Sequence, residues 1–430
     1  MFGHAGELKR KSAVVVGAGA SGRAASLLLA GLGAKVRLLD RNADALTAED
    51  MAAQQGAGVD VVLGPHDPQQ FSGADMIVLS PGVPVRKIRA ILPVDEAEPE
   101  MISELELAWR YCRGRVLAIT GTNGKTTTAG LCAHVLQHIG QKVFLGGNIG
   151  TPLSQYVLDG QEADVLVLEV SSFQAQNCNS FRPEVAVLLN VTPDHLDYHA
   201  DMEEYLRAKL RMFAFMKPED LAVVPEAMLV ELSESTFTAA RVEWFESTDR
   251  FESERLPGAH NQANMEAVFQ ATRRFGVTER SMREALESFK PYPHRLERIG
   301  IARGVTFVDD SKATTVDALR AALESIDSHV LLLAGGVYKG GDLASLTPLM
   351  RHKVRAVCLF GASREVFEAA WAGSVPLAWE QTLDKAMHRL MTWAEEGDTM
   401  LLSPATSSFD QYPNYKERGN HFQRVFEELS

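Results

Sequence analysis

The stretch Val116-Leu117-Ala118-Ile119-Thr120-Gly121-Thr122-Asn123-Gly124-Lys125-Thr126-Thr127 decides how this chain reads. An apolar run leads into a loop bounded by two glycines, and a Lys-Thr pair then opens a helical segment. Such a strand, loop and helix point backbone N–H groups and a helix N-terminus at phosphate oxygens. Lys125 adds a point charge, and Thr126 can reach a Mg²⁺ ion. The pattern departs from G-x-x-x-x-G-K-[ST], because position 119 is Ile where a glycine is usual. The phosphate chemistry survives that departure, and ATP binding is expected.

A phosphate loop needs a carboxylate nearby for its metal. The run Asp164-Val165-Leu166-Val167-Leu168-Glu169 supplies Glu169 at the end of a hydrophobic strand, although a strand-terminal Glu can also simply face solvent. No N-K-x-D guanine signature is present, which disfavours a GTPase.

Upstream lies a second glycine loop, Gly17-Ala18-Gly19-Ala20-Ser21-Gly22, with Asp40 following Gly17 by 23 positions at the end of the next strand. This is the dinucleotide fingerprint, in which glycines allow close backbone approach and the acid meets ribose hydroxyls. Three readings stay open: a nicotinamide or flavin, a mononucleotide or sugar nucleotide, or glycines that only let strand and helix pack.

Around these loops, short apolar runs alternate with helical-period segments, the rhythm of βαβ units. Strands are expected over 13–16, 36–39, 75–79, 116–120, 165–170, 185–191, 305–308, 330–333, 354–360 and 400–402, and helices over 22–30, 102–111, 202–215 and 261–275. The basic loop Cys112-Arg113-Gly114-Arg115 and the proline break Lys290-Pro291-Tyr292-Pro293 mark boundaries. The chain is read as α/β with three domains, over residues 1–113, 114–296 and 297–430.

Composition agrees. The 430 residues carry 43 Lys and Arg against 56 Asp and Glu, a formal charge of −13, and are 46% apolar. That argues for globular domains and against a protein held to nucleic acid by phosphate neutralisation. Four scattered cysteines contain no C-x-x-C pair, so neither a disulfide framework nor a structural zinc site is expected. No apolar run approaches the ~18 residues of a membrane span and no signal peptide is evident, so a cytoplasmic protein without a membrane partner is expected.

Several charged residues occupy awkward positions. His195, in Pro193-Asp194-His195-Leu196-Asp197, follows an apolar strand where α/β sheets bind ligands; it is a metal ligand, a substrate contact or a bystander. Arg295, beside His294, follows the proline break and can reach a phosphate. Lys209 shares a helical stripe with Met202, Tyr205, Leu206, Leu210 and Phe213. Either its stem snorkels to solvent or it is a functional lysine, including one carbamylated by CO₂ into a Mg²⁺ ligand. In the last third, Asp309 to Thr315, Gly335 to Asp342 and Ser403 to Asp410 are strand-end loops rich in Lys, Ser and Thr, which suggests an anionic ligand.

Taken together these stretches resemble the Mur ligases, ATP-dependent amide-forming enzymes of peptidoglycan synthesis. The resemblance covers nearly the whole chain. It rests on Gly121 to Thr127, Gly147-Asn148-Ile149-Gly150, Leu168 to Gln174, Asp194 to Asp197, Ala208-Lys209, His260 to Asn264, Pro293-His294-Arg295, Asp310 to Thr314 and Leu402 to Ala405. Glu169-Val170-Ser171-Ser172-Phe173-Gln174 and the Ser403-Pro404-Ala405 and Ser408-Phe409-Asp410-Gln411 stretches favour the branch that adds D-glutamate.

That resemblance implies a Rossmann-like N-terminal domain for the UDP-sugar, a P-loop-type central ATPase domain and a Rossmann-like C-terminal domain for the amino acid. It implies that Ala20, Ser21, Asp40, Arg41, Ser80, Gly82 and Asn148 contact UDP-N-acetylmuramoyl-L-alanine, and that Thr314, Lys339, Ser408 and Tyr415 receive D-glutamate. ATP falls to Gly121, Thr122, Asn123, Gly124, Lys125, Thr126, Thr127, Asn261, Asn264, Arg295, Asp310 and Lys312. Two Mg²⁺ ions would involve Thr126, Glu169, His195 and carbamylated Lys209, with CO₂ or bicarbonate supplying the carbamate. Lys125, Glu169, His195 and Lys209 are then the catalytic set. The spacing of glycine and lysine in Gly336-Val337-Tyr338-Lys339 varies among relatives, so Lys339 matches least closely. A monomer is expected. The competing readings are a folylpolyglutamate-type synthetase, a nicotinamide-dependent dehydrogenase and a nonenzymatic ATP-binding regulator.

Overall fold

The computed structural model describes residues 7–95, 97–195, 198–233, 236–256 and 258–429. Leu196 and Asp197 of the Asp-His-Leu-Asp motif therefore lie outside the described residues. The chain is α/β, built on three sheets.

The first sheet contains β1 (Ser12–Val16), β2 (Lys35–Asp40), β3 (Asp60–Leu63), β4 (Met76–Leu79) and β5 (Glu100–Ser103), all parallel, in the order β3-β2-β1-β4-β5. The second contains β6 (Arg115–Thr120), β7 (Val143–Gly147), β8 (Val165–Glu169), β9 (Val185–Leu188), β10 (Leu221–Pro225) and β11 (Arg241–Phe245), also parallel, in the order β11-β10-β9-β6-β8-β7. The third contains β12 (Glu297–Ala302), β13 (Val305–Asp309), β14 (Val330–Gly335), β15 (Val354–Phe360), β16 (Leu377–Glu380) and β17 (Thr399–Leu402), in the order β12-β13-β17-β14-β15-β16. Only β12 runs antiparallel there, pairing with β13 across a bulge between Arg298 and Gly300.

The central strands are continuous apolar runs because helices cover both sheet faces. Every residue of β8, β9, β10 and β14 is buried. Burying each such Val or Leu contributes about 1.5–3 kcal/mol against the entropy of ordering the chain.

By packing, the chain forms two compact units. One comprises residues up to Val191 with Ala200–Glu246 and Glu266–Glu287; the other comprises Thr192–His199, Ser247–Met265 and the chain from Ser288 onward. Within the first unit, two buried carboxylates join the first sheet to the second. They lie on the helix Glu104–Trp109, which directly follows β5. Glu104 accepts the Ser154 N–H at 2.6 Å, at the start of the helix Leu153–Leu158. Burial pushes its carboxyl pKa up. Glu106 accepts the N–H and hydroxyl of Ser180, at 3.0 and 2.6 Å, and the Phe181 N–H at 2.9 Å, while Arg110 donates to it at 3.0 Å.

The expected helix at 102–111 begins two residues later than anticipated, because residues 100–103 form β5. All four cysteines are free. Among the described residues no helix is long and apolar enough to cross a membrane.

Candidate active site

Strand β6 lies between β8 and β9, so the loop leaving it at Gly121 opens beside the carboxyl ends of both neighbours. Ile119 is buried and pairs with Glu169 on one side and Val187 on the other. This explains the departure at position 119: the residue is part of the sheet, and the phosphate loop proper starts two residues later.

The loop ends at Gly124, which caps the helix Lys125–His138 without any side-chain cap. A helix start of this kind can turn its first N–H groups toward phosphate oxygens. Asn190, just beyond β9, fixes the loop from the side. Its amide oxygen accepts the Asn123 N–H at 2.8 Å, and its amide nitrogen donates to the Asn123 carbonyl at 3.1 Å. Sequence reading passed over Asn190; its position at the end of an apolar strand, three residues before Pro193, was the available signal.

Glu169 is buried at the end of β8 and holds two of the other expected residues. Thr126 donates its hydroxyl to one carboxylate oxygen at 2.8 Å, and Asn148 donates its side-chain amide to the other at 2.9 Å. The reading of Glu169 as a solvent-facing strand end is thereby corrected, since the strand delivers it to the phosphate loop.

Lys209 is 1% exposed. Its stem therefore does not snorkel, and that alternative fails. The ammonium donates to the Gly121 carbonyl at 2.9 Å and lies 4.2 Å from the centre of the Tyr205 ring. The Tyr205 hydroxyl lies 3.2 Å from the Thr122 hydroxyl. The α-helix carrying them is shorter than expected, Met202–Leu210, and buries Tyr205, Ala208 and Lys209 rather than the whole predicted stripe.

The first glycine loop also belongs to this unit. Asp40 accepts the Ala18 N–H at 2.7 Å and the Asn42 N–H at 2.9 Å, and Ser80 donates to the Gly17 carbonyl at 2.9 Å. The acid of the fingerprint thus organises the loop's own backbone. Gly22 answers to packing: a Cβ there would fall 1.7 Å from the Gly17 carbonyl oxygen. Ala20 and Ser21 open the helix Ala20–Gly31 that follows this loop, while Arg41 and Gly82 lie just beyond the carboxyl ends of β2 and β4.

The second unit holds the remaining expected residues. His195 adopts a φ of +56°, donates its backbone N–H to an Asp194 carboxylate oxygen at 2.9 Å, and has its ring nitrogen 3.4 Å from the other oxygen. Asn261 and Asn264 lie in the N-terminal half of the helix Ala259–Thr272. Asp310 is buried, accepting the Ser403 hydroxyl at 2.9 Å and the Leu296 N–H at 3.2 Å; burial lifts its carboxyl pKa to about 7. Lys312 places its ammonium 4.0 Å from the centre of the Tyr415 ring. Ser408 is buried, while Lys339 is exposed.

His294, Glu297 and Asp309 bring their ligand atoms within 4.8 Å of one another. Protein donors already engage the group: His294 Nδ1 lies 2.7 Å from Asp309, and Gln423 donates to both Asp309 and Glu297. The hydrogen bond to Asp309 raises the His294 pKa.

A parallel sheet that presents a Gly-Lys-Thr loop beside a strand-end glutamate defines a nucleotide-phosphate-binding α/β protein. The chain belongs to the Mur ligase family. Residues 119–245 match the Mur ligase middle domain, 294–406 the Mur ligase glutamate ligase domain, and 11–102 the Mur ligase MurD-like N-terminal domain. It is 53% identical over 419 residues to the UDP-N-acetylmuramoylalanine--D-glutamate ligase of Nitratidesulfovibrio vulgaris (strain DP4), covering 97% of this chain and 96% of that protein. It is 53% identical over 416 residues to the ligase of the same name from Oleidesulfovibrio alaskensis, covering 96% of this chain and 93% of that protein. The fold is similar to that of MurF ligase from Thermotoga maritima in complex with ADP, with a TM-score of 0.64 at 18% identity over 92% of this chain and 96% of that one.

Proposed function

We propose that this chain joins D-glutamate to UDP-N-acetylmuramoyl-L-alanine with hydrolysis of ATP to ADP and phosphate, in peptidoglycan precursor synthesis. The observation that carries the reading is the phosphate loop with Thr126 and Lys209 drawn onto Glu169 and Gly121, in a chain 53% identical to D-glutamate ligases over nearly its whole length.

In this reading residues 1–113 take the UDP-sugar, 114–296 ATP and 297–430 the amino acid. Gly121 to Thr127 cradle the phosphates, and Lys125 leaves the Gly121 and Thr122 carbonyls, where it rests at 2.8 and 2.7 Å, for the γ-phosphate. Phosphoryl transfer between anions is mainly positioning and charge neutralisation. The γ-phosphoryl passes to the alanine carboxylate with departure of ADP; the D-glutamate amine then attacks the acyl carbon, loses a proton and expels inorganic phosphate as the C–O bond to phosphate breaks.

The donor set suits a magnesium ion: a buried carboxylate, an adjacent threonine hydroxyl and a buried lysine whose carbamate would add oxygen ligands. Thr126, Glu169, His195 and carbamylated Lys209 would hold two such ions, which when bound would neutralise charge between phosphate and carboxylate. Ala20, Ser21, Asp40, Arg41, Ser80, Gly82 and Asn148 face the UDP-sugar. Asn261, Asn264, Arg295, Asp310 and Lys312 complete the nucleotide contacts, and Thr314, Lys339, Ser408 and Tyr415 take D-glutamate.

The test is phosphate release from ATP with UDP-N-acetylmuramoyl-L-alanine as acceptor, comparing D-glutamate, L-glutamate and L-alanine. Release with D-glutamate alone is expected; equal release with L-alanine would contradict the proposal.

A further inference from the structure

Arg418, on the helix Tyr415–Leu429, is among the largest side chains with no solvent exposure. A buried guanidinium is costly and is ordinarily matched by a carboxylate. Here every hydrogen bond among the described residues ends on a neutral oxygen. Nε donates to the Ser311 hydroxyl at 3.0 Å, and Nη2 donates to the Ser311 carbonyl at 2.8 Å and the Thr406 carbonyl at 3.1 Å. Among the described residues Nη1 has no hydrogen-bond partner, and neither does the buried Thr406 hydroxyl. The desolvation lowers the arginine's pKa to about 10.

The three contacts converge on strand-end loops. Ser311 lies between Asp310 and Lys312 in the loop after β13, and its hydroxyl also donates to the Tyr415 carbonyl at 2.8 Å. Thr406 lies two residues before Ser408 in the loop after β17. A third loop, after β14, is pinned to the second, since the Val337 N–H donates to the Ser407 carbonyl at 2.9 Å and the Ser407 N–H returns to Val337 at 3.1 Å. Gly336 makes room for the arrangement. A Cβ there would meet the Ser407 carbonyl at 2.2 Å and Arg418 Nη1 at 3.2 Å, and its φ is +133°.

We propose that Arg418 is a positioning residue for the amino-acid substrate: its fork crosslinks the Asp310–Lys312 and Thr406–Ser408 loops from beneath and sets the spacing of the side chains that receive D-glutamate. The inference rests on the assignment of Thr314, Lys339, Ser408 and Tyr415 to that substrate. A planar guanidinium can hold carbonyls of two loops at once, whereas an ammonium on a flexible stem cannot reproduce that geometry. Arg418→Lys keeps a nitrogen donor on a stem of similar length and removes the planar fork.

The experiment measures steady-state kinetics of the full chain with each of the three substrates varied in turn. Arg418→Lys should raise KM for D-glutamate about tenfold and KM for ATP about threefold, with kcat and KM for the UDP-sugar within about twofold. A wild-type KM for D-glutamate in this variant, or a fall in kcat with all KM values unmoved, would overturn the proposal. Should Arg418→Lys fail to fold, Ser311→Ala removes one arm of the brace and should raise KM for D-glutamate about threefold; an unchanged KM there would overturn it equally. Ser408→Ala is run alongside. Its KM for D-glutamate should also rise, and a flat value would instead overturn the site assignment on which the inference rests.

Discussion

Lys125 and Lys209 converge on one atom: both ammonium groups donate to the carbonyl oxygen of Gly121, at 2.8 and 2.9 Å. The first lies one turn along the loop's own chain and the second 88 residues away, so the phosphate loop is held from its own helix and from a distant one.

Lys125 supplies the mobile positive charge of the loop. Lys125→Ala should reduce turnover by at least about 100-fold, the scale of losing one preorganised charge-stabilising donor. Initial-rate measurements at saturating substrates check this, and turnover within tenfold of wild type would contradict it.

Lys209 cannot reach solvent, and its replacement removes a donor to Gly121 as well as the proposed carbamate. Lys209→Ala should lose activity by about 100-fold or more, and a short carboxylic acid in the assay should restore part of it by standing in for the missing oxygens. Full activity without any additive would reject the carbamate role.

Asp310 gives a pH signature. Burial lifts its carboxyl to about 7, while in the unfolded chain the same group titrates at about 3.9. Between those values the folded state holds a proton that the unfolded chain has released. This contribution to stability is therefore greatest in acid, falls as pH rises through the window, and is level above it. Asp310→Asn keeps an acceptor for Ser403 and Leu296 and removes the ionisation. Urea midpoints from pH 4 to 8 should show a smaller decline for the variant than for wild type across that window; matching profiles would contradict the account.

Glu106 answers two backbone N–H groups, a hydroxyl and Arg110 at once. Glu106→Ala strands those buried donors and should cost about 3 kcal/mol of stability. Urea unfolding measures it, and a change below about 0.5 kcal/mol would show that water readily replaces the carboxylate.

Most strands at the middle of each sheet were legible because burial on both faces makes them unbroken apolar runs; Leu221–Pro225, interior and wholly buried, was passed over because its run is short and ends in proline. Edge strands were not. Asp60–Leu63, Arg241–Phe245 and Leu377–Glu380 are short and largely half-exposed, and Glu297–Ala302 carries charges, a glycine and a bulge that blur its period. The phosphate loop and Glu169 were readable because their chemistry is local in sequence. Asn190, Tyr205 and Arg418 were not, because each acts on a loop far along the chain, and only the folded sheets show which loop that is. Asp40 carries the opposite lesson: its spacing matches the ribose acid of a dinucleotide site, yet its carboxylate is engaged by the N–H groups of Ala18 and Asn42.

The most direct test of the central claim follows oxygen. UDP-N-acetylmuramoyl-L-alanine labelled with ¹⁸O in the alanine carboxylate is turned over with ATP and D-glutamate, and the released phosphate is analysed by mass spectrometry. An acyl-phosphate route predicts one labelled oxygen in each phosphate formed. Phosphate without label, accompanied by amide product, would contradict it.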